Sequence, residues 1–218
     1  MSAQAKHIVG LYRRHAQAWA DLRGTVLLER VWLEHFENRM PPPRSVLDIG
    51  CGSGDPIGRY LVNQGCAVTG IDSSPELIQI AQRNIPGACW TVSDMRGLEL
   101  DAKFSGILAW NSMFHLTPDE QRRMFPVFER HACPAAVLMF TSGAYHGCAI
   151  GEFQGEALYH ASLASDEYHL LLSRHGFEVI ERFVQDDHSG QHVIWLARFL
   201  ASATDRPASN RPPADHPI

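Results

Sequence analysis

The sequence predicts an α/β domain built on a doubly wound, mostly parallel sheet, and three observations carry that prediction. The apolar run Ser45-Val46-Leu47-Asp48-Ile49 ends in the glycine-rich turn Gly50-Cys51-Gly52-Ser53-Gly54, and a helix-like segment follows at once. A second run, Ala67-Val68-Thr69-Gly70-Ile71, ends in an acid, Asp72, 22 residues past Gly50. Short apolar runs and helical patterns then alternate along the chain, as a parallel sheet with crossover helices requires.

Each element has a local reason. Ile8, Leu11, Tyr12, His15, Trp19 and Leu22 recur at helical spacing, and Val26, Leu27, Val31, Leu33 and Phe36 continue the pattern. Residues 7–39 are therefore expected to form two helices, stopped by Pro41-Pro42-Pro43. Strand one is expected near 45–49, helix A near 55–64 with Pro56 in its first turn, and strand two near 66–71. The next helix should start from the Ser73/Ser74 cap and Pro75 and run to about Asn84. Strand three is expected near 88–93 and strand four at Gly106–Trp110. A helix opens at Thr117-Pro118-Asp119-Glu120, with Glu120 at capping-box distance. Strand five spans Ala135–Thr141. Residues 142–166 read as a long Gly- and His-rich connection. Helix Glu167–His175, a Gly176 stop and strands Phe177–Val184 and His192–Phe199 complete the pattern. The short link between these last two strands predicts a hairpin with one antiparallel strand.

Composition narrows the function classes. The chain has 218 residues, enough for one α/β domain, with a net charge of −5 and 45% apolar residues. No basic patch stands ready to neutralise phosphates, which argues against nucleic-acid partners. No apolar run approaches a membrane span, and the N-terminus lacks the apolar core of a signal peptide. Five scattered cysteines without a Cys-x-x-Cys pair read as reduced thiols in a cytoplasmic protein, and no compact cluster of metal ligands is present. One domain is expected over 1–201. The segment 202–218, rich in Pro, Ala, Ser and Asp, is expected to be a disordered tail.

The glycine turn decides between two ligand classes. A dinucleotide fingerprint needs Gly-x-Gly-x-x-Gly, whereas this chain has Gly50-x-Gly52-x-Gly54 and its next glycine at Gly58. That spacing speaks against a nicotinamide oxidoreductase. Asp48-Ile-Gly-Cys-Gly-Ser-Gly54 followed by Gly70-Ile-Asp-Ser-Ser74 instead resembles the class I S-adenosylmethionine-dependent methyltransferases of the small-molecule type. The resemblance covers residues 7 to 200. It implies a Rossmann-like seven-stranded sheet with one antiparallel strand and an N-terminal helical lid over residues 1–40. It also implies S-adenosyl-L-methionine as methyl donor, S-adenosyl-L-homocysteine as product, and O- or N-methylation of a small molecule by a monomer or homodimer.

The resemblance assigns cofactor-binding roles residue by residue. Asp48, Gly50, Cys51 and Gly52 shape the loop around the methionine part. Asp72, with Ser73 beside it, takes the ribose hydroxyls, and Asp94 and Met95 meet the adenine. Trp110 lines the pocket near the sulfonium. Tyr12, Trp19 and Arg23 belong to the lid, with Arg23 pairing the amino-acid carboxylate.

Past strand four the chain is rich in acceptor-side candidates. His115 and His160 are expected to be catalytic, as neutral imidazoles able to accept a proton. His115, His146, Glu152, Glu156, Tyr159 and His160 are expected to bind substrate. The segment 142–166 is read as a substrate-facing insertion, too long for a simple crossover loop. If helical, it would set Glu152, Glu156, Tyr159 and His160 near one face. Two rival functions stay open: a non-catalytic cofactor binder, and a methyltransferase acting on protein or nucleic acid. The second lacks an Asn-Pro-Pro-aromatic signature after strand four, where Trp110-Asn111-Ser112-Met113 stands.

Overall fold

The computed structural model describes residues 3–187 and 190–200. The expected disordered tail, 202–218, lies outside the described residues. In chain order the elements are α1 (Ala3–Arg14), α2 (Ala16–Arg23), α3 (Arg30–Glu37), β1 (Ser45–Ile49), α4 (Ile57–Asn63), β2 (Ala67–Asp72), α5 (Pro75–Asn84), β3 (Cys89–Val92), β4 (Phe104–Ala109), α6 (Pro118–His131), β5 (Ala132–Gly143), β6 (Gly147–Phe153), β7 (Glu156–Ser162), α7 (Ser165–Arg174), β8 (Phe177–Asp187) and β9 (Gly190–Phe199). The main sheet has seven strands in the order β3-β2-β1-β4-β5-β9-β8. The five strands β1–β5 run parallel, and β9 pairs antiparallel with both β5 and β8. This is the seven-stranded, Rossmann-like sheet with one antiparallel strand that the sequence predicts. No helix among the described residues is long and apolar enough to cross a membrane.

Alternation along the strands sorts the core into two layers. Leu47, Ile49, Ile107 and Leu138 face α6 and α7, where Phe125, Phe128, Tyr168 and Leu172 are buried. Val46, Val68, Leu108 and Val137 face α3, α4 and α5 on the other side. The α6 capping box forms in both halves, with the Glu120 backbone N–H donating to Thr117 Oγ1 and the Thr117 N–H donating to Glu120 Oε2 at 2.9 Å. Ser74 caps α5 by accepting from the Leu77 N–H.

Gly58, which breaks the dinucleotide spacing, has a packing reason. A Cβ there would meet the Trp90 indole at 2.7 Å, and one at Gly70 would meet it at 2.2 Å. The indole lies flat in that space and donates from Nε1 to the Ile85 carbonyl at 2.9 Å.

Two regions differ from expectation. The N-terminal region forms three helices rather than two, because the chain breaks helical geometry at His15 and again between Gly24 and Glu29. Residues 147–162 form an antiparallel ribbon, β6–β7, instead of a helix. Its turn is Gln154-Gly155, both with positive φ (54° and 76°), the two-residue turn that matches strand twist.

Candidate active site

The cleft opens at the carboxyl ends of β1, β2, β3 and β4, where strand order reverses between β1 and β4. Ligands of open α/β sheets bind at that switch point. It is lined by Tyr12, Trp19, Gly50, Gly52, Asp72 and Met95 among others.

The floor is backbone. Gly50 and Gly52 take positive φ (78° and 56°), which a glycine adopts without strain. A Cβ at Gly50 would fall 2.4 Å from Ser112 Cβ, so the glycine lets the turn after β4 close against the turn after β1. Ser112 completes that contact by donating to the Ile49 carbonyl at 2.7 Å.

Asp72 ties the floor to the next helix. Its carboxylate accepts from the Gly52 N–H at 3.0 Å and from the Ser74 N–H at 2.9 Å. Burial raises its pKa, and those backbone donors work against the rise. Asp48, buried on the neighbouring strand, is pushed up to about 7, by desolvation first and by the Asp72 charge second. Ser73 and Met95 also line the cleft.

Asp94 lines the cleft but is not a free acceptor. Arg96 grips both of its oxygens and reaches on to Glu120 Oε1 at 3.0 Å. Asp94 also caps the short turn Met95–Gly97 by accepting from the Arg96 N–H. Hydrogen bonds from Arg96 outweigh desolvation and lower its pKa.

The lid comes from α1 and α2. Tyr12 and Trp19 meet edge to face, with ring centroids 5.3 Å apart, and both line the cleft. Tyr12 Oη lies 2.9 Å from His115 Nε2, while His115 Nδ1 lies 2.8 Å from the Tyr159 carbonyl. A carbonyl only accepts, so Nδ1 carries the proton and Nε2 accepts from the Tyr12 hydroxyl. Burial holds the imidazole neutral, with its pKa driven down to about 3.

The hairpin packs onto the same lid. Ile8 and Tyr12 of α1 pack with Leu158, Tyr159 and Ala161 of β7. The Phe153 ring meets those of His15 and Trp19 edge to face, with centroids 6.0 and 5.8 Å apart. Glu156 takes the Arg14 guanidinium in two contacts and His15 Nε2 at 2.7 Å. These bonds lower the Glu156 pKa to about 2.

Several assigned residues stand elsewhere. Arg23 faces Glu29, at 2.7 Å, and does not line the cleft, so its fork is already filled by a carboxylate of its own chain. Trp110 shares the strand face of Leu108 and packs with the α3–α5 layer, away from the cleft, with its buried Nε1 lacking a partner among the described residues. Cys51 turns its side chain into the same layer, and burial raises its thiol pKa. His146 and Glu152 are exposed and outside the cleft. Because the insertion is a ribbon, Tyr159 points opposite to Glu156 and His160. It is buried, with its hydroxyl 3.1 Å from Cys148 Sγ. Of the four side chains expected on one helical face, that of His160 lies beside His115, with ring centroids 4.9 Å apart, while Tyr159 meets His115 through its backbone carbonyl.

Ser112 is among the cleft residues that the sequence analysis did not assign, and Asn111 lines the cleft beside it. Asn111 has φ 47°, and its side-chain oxygen accepts from Thr141 Oγ1 at 3.1 Å. The signal was their place directly after β4.

Comparison with known proteins agrees with this geometry. The family described as Methyltransferase domain matches residues 46–135. The chain is 26% identical over 129 residues to a dTDP-4-amino-2,3,4,6-tetradeoxy-D-glucose N,N-dimethyltransferase of Saccharopolyspora spinosa, covering 58% of this chain and 49% of that one. It is 32% identical over 119 residues to a ubiquinone biosynthesis O-methyltransferase of Coxiella burnetii, covering 49% of each. The chain thus spans about half the length of these curated relatives. The fold matches that of an amino pentose methyltransferase of calicheamicin biosynthesis from Micromonospora echinaspora, solved with bound S-adenosylmethionine. The TM-score is 0.64 at 17% identity, over 84% of this chain and 95% of that one.

Proposed function

We propose, for a chain that carries a methyltransferase domain on the class I S-adenosylmethionine-dependent methyltransferase fold, that it transfers a methyl group from S-adenosylmethionine to the oxygen or nitrogen of a small molecule. One observation carries the reading. The glycine turn, Asp72 and Met95 line one cleft at the switch point, closed above by Tyr12 and Trp19. The curated relatives support a small-molecule acceptor, since by name one methylates a sugar amine and another acts in ubiquinone biosynthesis.

The residues fit the cofactor. A Cβ at Gly52 would stand 3.5 Å from Trp19 Nε1, so a side chain there would intrude on the space between the floor and the lid. Asp72 would hold the ribose hydroxyls, and Met95 with the Asp94–Arg96 pair would border the adenine. When bound, the cofactor supplies a methyl carbon activated by a positive sulfur. The chain's own work is to orient and to exclude water. Trp19 and Tyr12 cover the cleft with apolar ring surface. His115 holds Tyr12 in place, and with both ring nitrogens engaged and its basicity suppressed it positions rather than takes a proton. We place the reaction in the cytoplasm, without a nucleic-acid partner. Five free thiols and a net charge of −5 support this.

Calorimetry with S-adenosylmethionine and S-adenosylhomocysteine, and NAD(H) as control, tests the assignment. Micromolar binding of the first two and none of the third is expected. Absence of binding in folded protein freed of co-purified ligand would remove the proposed activity and leave only the fold.

A further inference from the structure

Four strand edges bound the two sheets of the described residues, and three of them are protected. β3 is only four residues long, and β8 carries Glu178, Glu181 and Arg182. On β7 the carbonyls that face away from β6 are taken. His115 Nδ1 donates to that of Tyr159 and Gln121 Nε2 to that of Ala161, each at 2.8 Å. β6 is different. It pairs with β7 in unbroken register from Gly147 to Phe153, and between Gly147 and Gly151 it has no charge, proline or bulge. Residues 148–152 are all exposed, on both faces of the strand, with Ile150 at 50%. Short edges, charges, prolines and bulges are the means by which sheets avoid pairing edge to edge.

The partner strand shows which groups of β6 face outward. In an antiparallel pair, opposed residues either exchange both backbone bonds or turn both away. Tyr159 and Ala161 send their carbonyls away from β6, so their opposites, Ile150 and Cys148, turn N–H and C=O to the open side. Two ionisable groups flank this stretch, His146 before it and Glu152 at its end, both exposed. Among the described residues neither has a hydrogen-bond or ion-pair partner. Glu167, within electrostatic reach of His146, is already held by the Arg122 guanidinium at 2.6 Å.

We infer that β6 is an interface between two copies of this chain, pairing antiparallel with its own equivalent about a two-fold axis at Ala149. In that register Cys148 opposes Ile150 of the second copy, so the outward backbone groups meet. Glu152 comes beside His146 of the second copy, and symmetry repeats the pairing. Axes at Cys148 or Ile150 would also match the outward groups, but they oppose Glu152 to Ala144 or Cys148. Charge complementarity therefore selects Ala149. The contact is isologous and closes on itself, leaving no free β6 edge. It turns a two-stranded ribbon, marginal by itself, into a four-stranded sheet. A single strand edge buries less than the roughly 1,200 Å² at which standard interfaces begin, so the pair is weak, with a dissociation constant on the order of 10 µM.

Sedimentation velocity of the full chain from about 1 to 200 µM should show monomer passing into dimer. Ile150→Lys sets a charge on the edge and should weaken association at least tenfold, with melting temperature and S-adenosylhomocysteine affinity unchanged. His146→Glu and Glu152→Lys should each weaken it about threefold, and the two together should restore it. With diamide as oxidant, Ala149→Cys in a Cys148→Ser background should cross-link two chains. Opposed residues of a pair without backbone bonds have Cα atoms about 4.5 Å apart, within disulfide reach. If Ile150→Lys lowers the melting temperature, the cross-link decides alone. A chain that stays monomeric at 200 µM would overturn the inference. So would a dimer indifferent to Ile150→Lys in folded protein, since its contact lies on another surface. Cross-linking of the parent through Cys148, without cross-linking of the Ala149→Cys chain, would overturn the register.

Discussion

Tyr12 and His115 are joined by a 2.9 Å hydrogen bond across 103 residues of chain. The bond fixes the first helix to the turn after β4, and His115 passes the restraint to β7 through the Tyr159 carbonyl. Lid, sheet and hairpin thus meet at one imidazole. Tyr12→Phe keeps the ring against Trp19 but leaves Nε2 buried without a donor. Such an orphaned acceptor costs about 1–3 kcal/mol. The variant should melt lower and bind S-adenosylhomocysteine more weakly, as scanning calorimetry and titration would register. An unchanged melting point would mean that the bond does not restrain the lid.

The geometry of the floor was legible in the sequence because its turns carry residues with one local job each. Gly50 needs positive φ, Asp72 caps the next turn, and Thr117 and Glu120 cap each other. The hairpin was not legible in the same way. Glu152, Glu156, Tyr159 and His160 fit an i, i+4 helical spacing, yet Gln154-Gly155 is a two-residue hairpin turn, and Gly147, Gly151 and Gly155 weaken a helix. Arg23 failed for a different reason. Its competing partner Glu29 lies only six residues away, but helical periodicity is silent about the non-helical link that brings them together. Trp110 failed by parity, since strand alternation sends it with Leu108 to the opposite layer.

Asp72→Ala removes the acceptor for both Gly52 N–H and Ser74 N–H as well as any ribose contact. Loss of charge-assisted bonds of this kind costs about 1.5–3 kcal/mol each. Cofactor affinity should fall at least tenfold in a calorimetric titration, with a lower melting temperature from the loosened turn. Retained affinity would take the ribose role away from Asp72.

Two glycines offer an internal control for the packing of Trp90. Gly70→Ala would drive a methyl into the indole, whereas at Gly97 nothing lies within 4 Å of an added Cβ. Overpacking of a filled core costs about 1–3 kcal/mol. Urea unfolding should show that loss for Gly70→Ala and almost none for Gly97→Ala. Equal midpoints would mean that the indole has room to move.

The latch at the lid edge should matter little for stability. Glu156 and Arg14 are both solvent-accessible, and ion pairs in such settings contribute about 0–1 kcal/mol. Glu156→Gln should leave the melting temperature nearly unchanged. It should speed amide exchange in residues 8–15, because the contact joins α1 to the hairpin and to no other element. Slow exchange in the variant would assign closure of the lid to Tyr12 and the aromatic rings alone.

Asp48 and His115 pull stability in opposite directions with pH. Burial drives the His115 pKa from 6.5 to about 3, so charging the ring opposes the fold. Its contribution is full above 6.5 and is lost as pH falls from there towards 3. Burial first, and Asp72 second, drive the Asp48 pKa from 3.8 to about 7, so here ionisation opposes the fold. The stability that protonated Asp48 provides is full below 3.8 and is lost as pH rises from 3.8 towards 7. Asp48→Asn removes the second trend alone. Its urea midpoint should gain on the parent chain steadily between pH 4 and pH 7 and hold that gain at pH 8, while affinity for the cationic cofactor falls. A variant that instead loses ground to the parent between pH 4 and pH 8 would mean that ionised Asp48 is stabilised in the fold, contrary to its burial beside a second carboxylate.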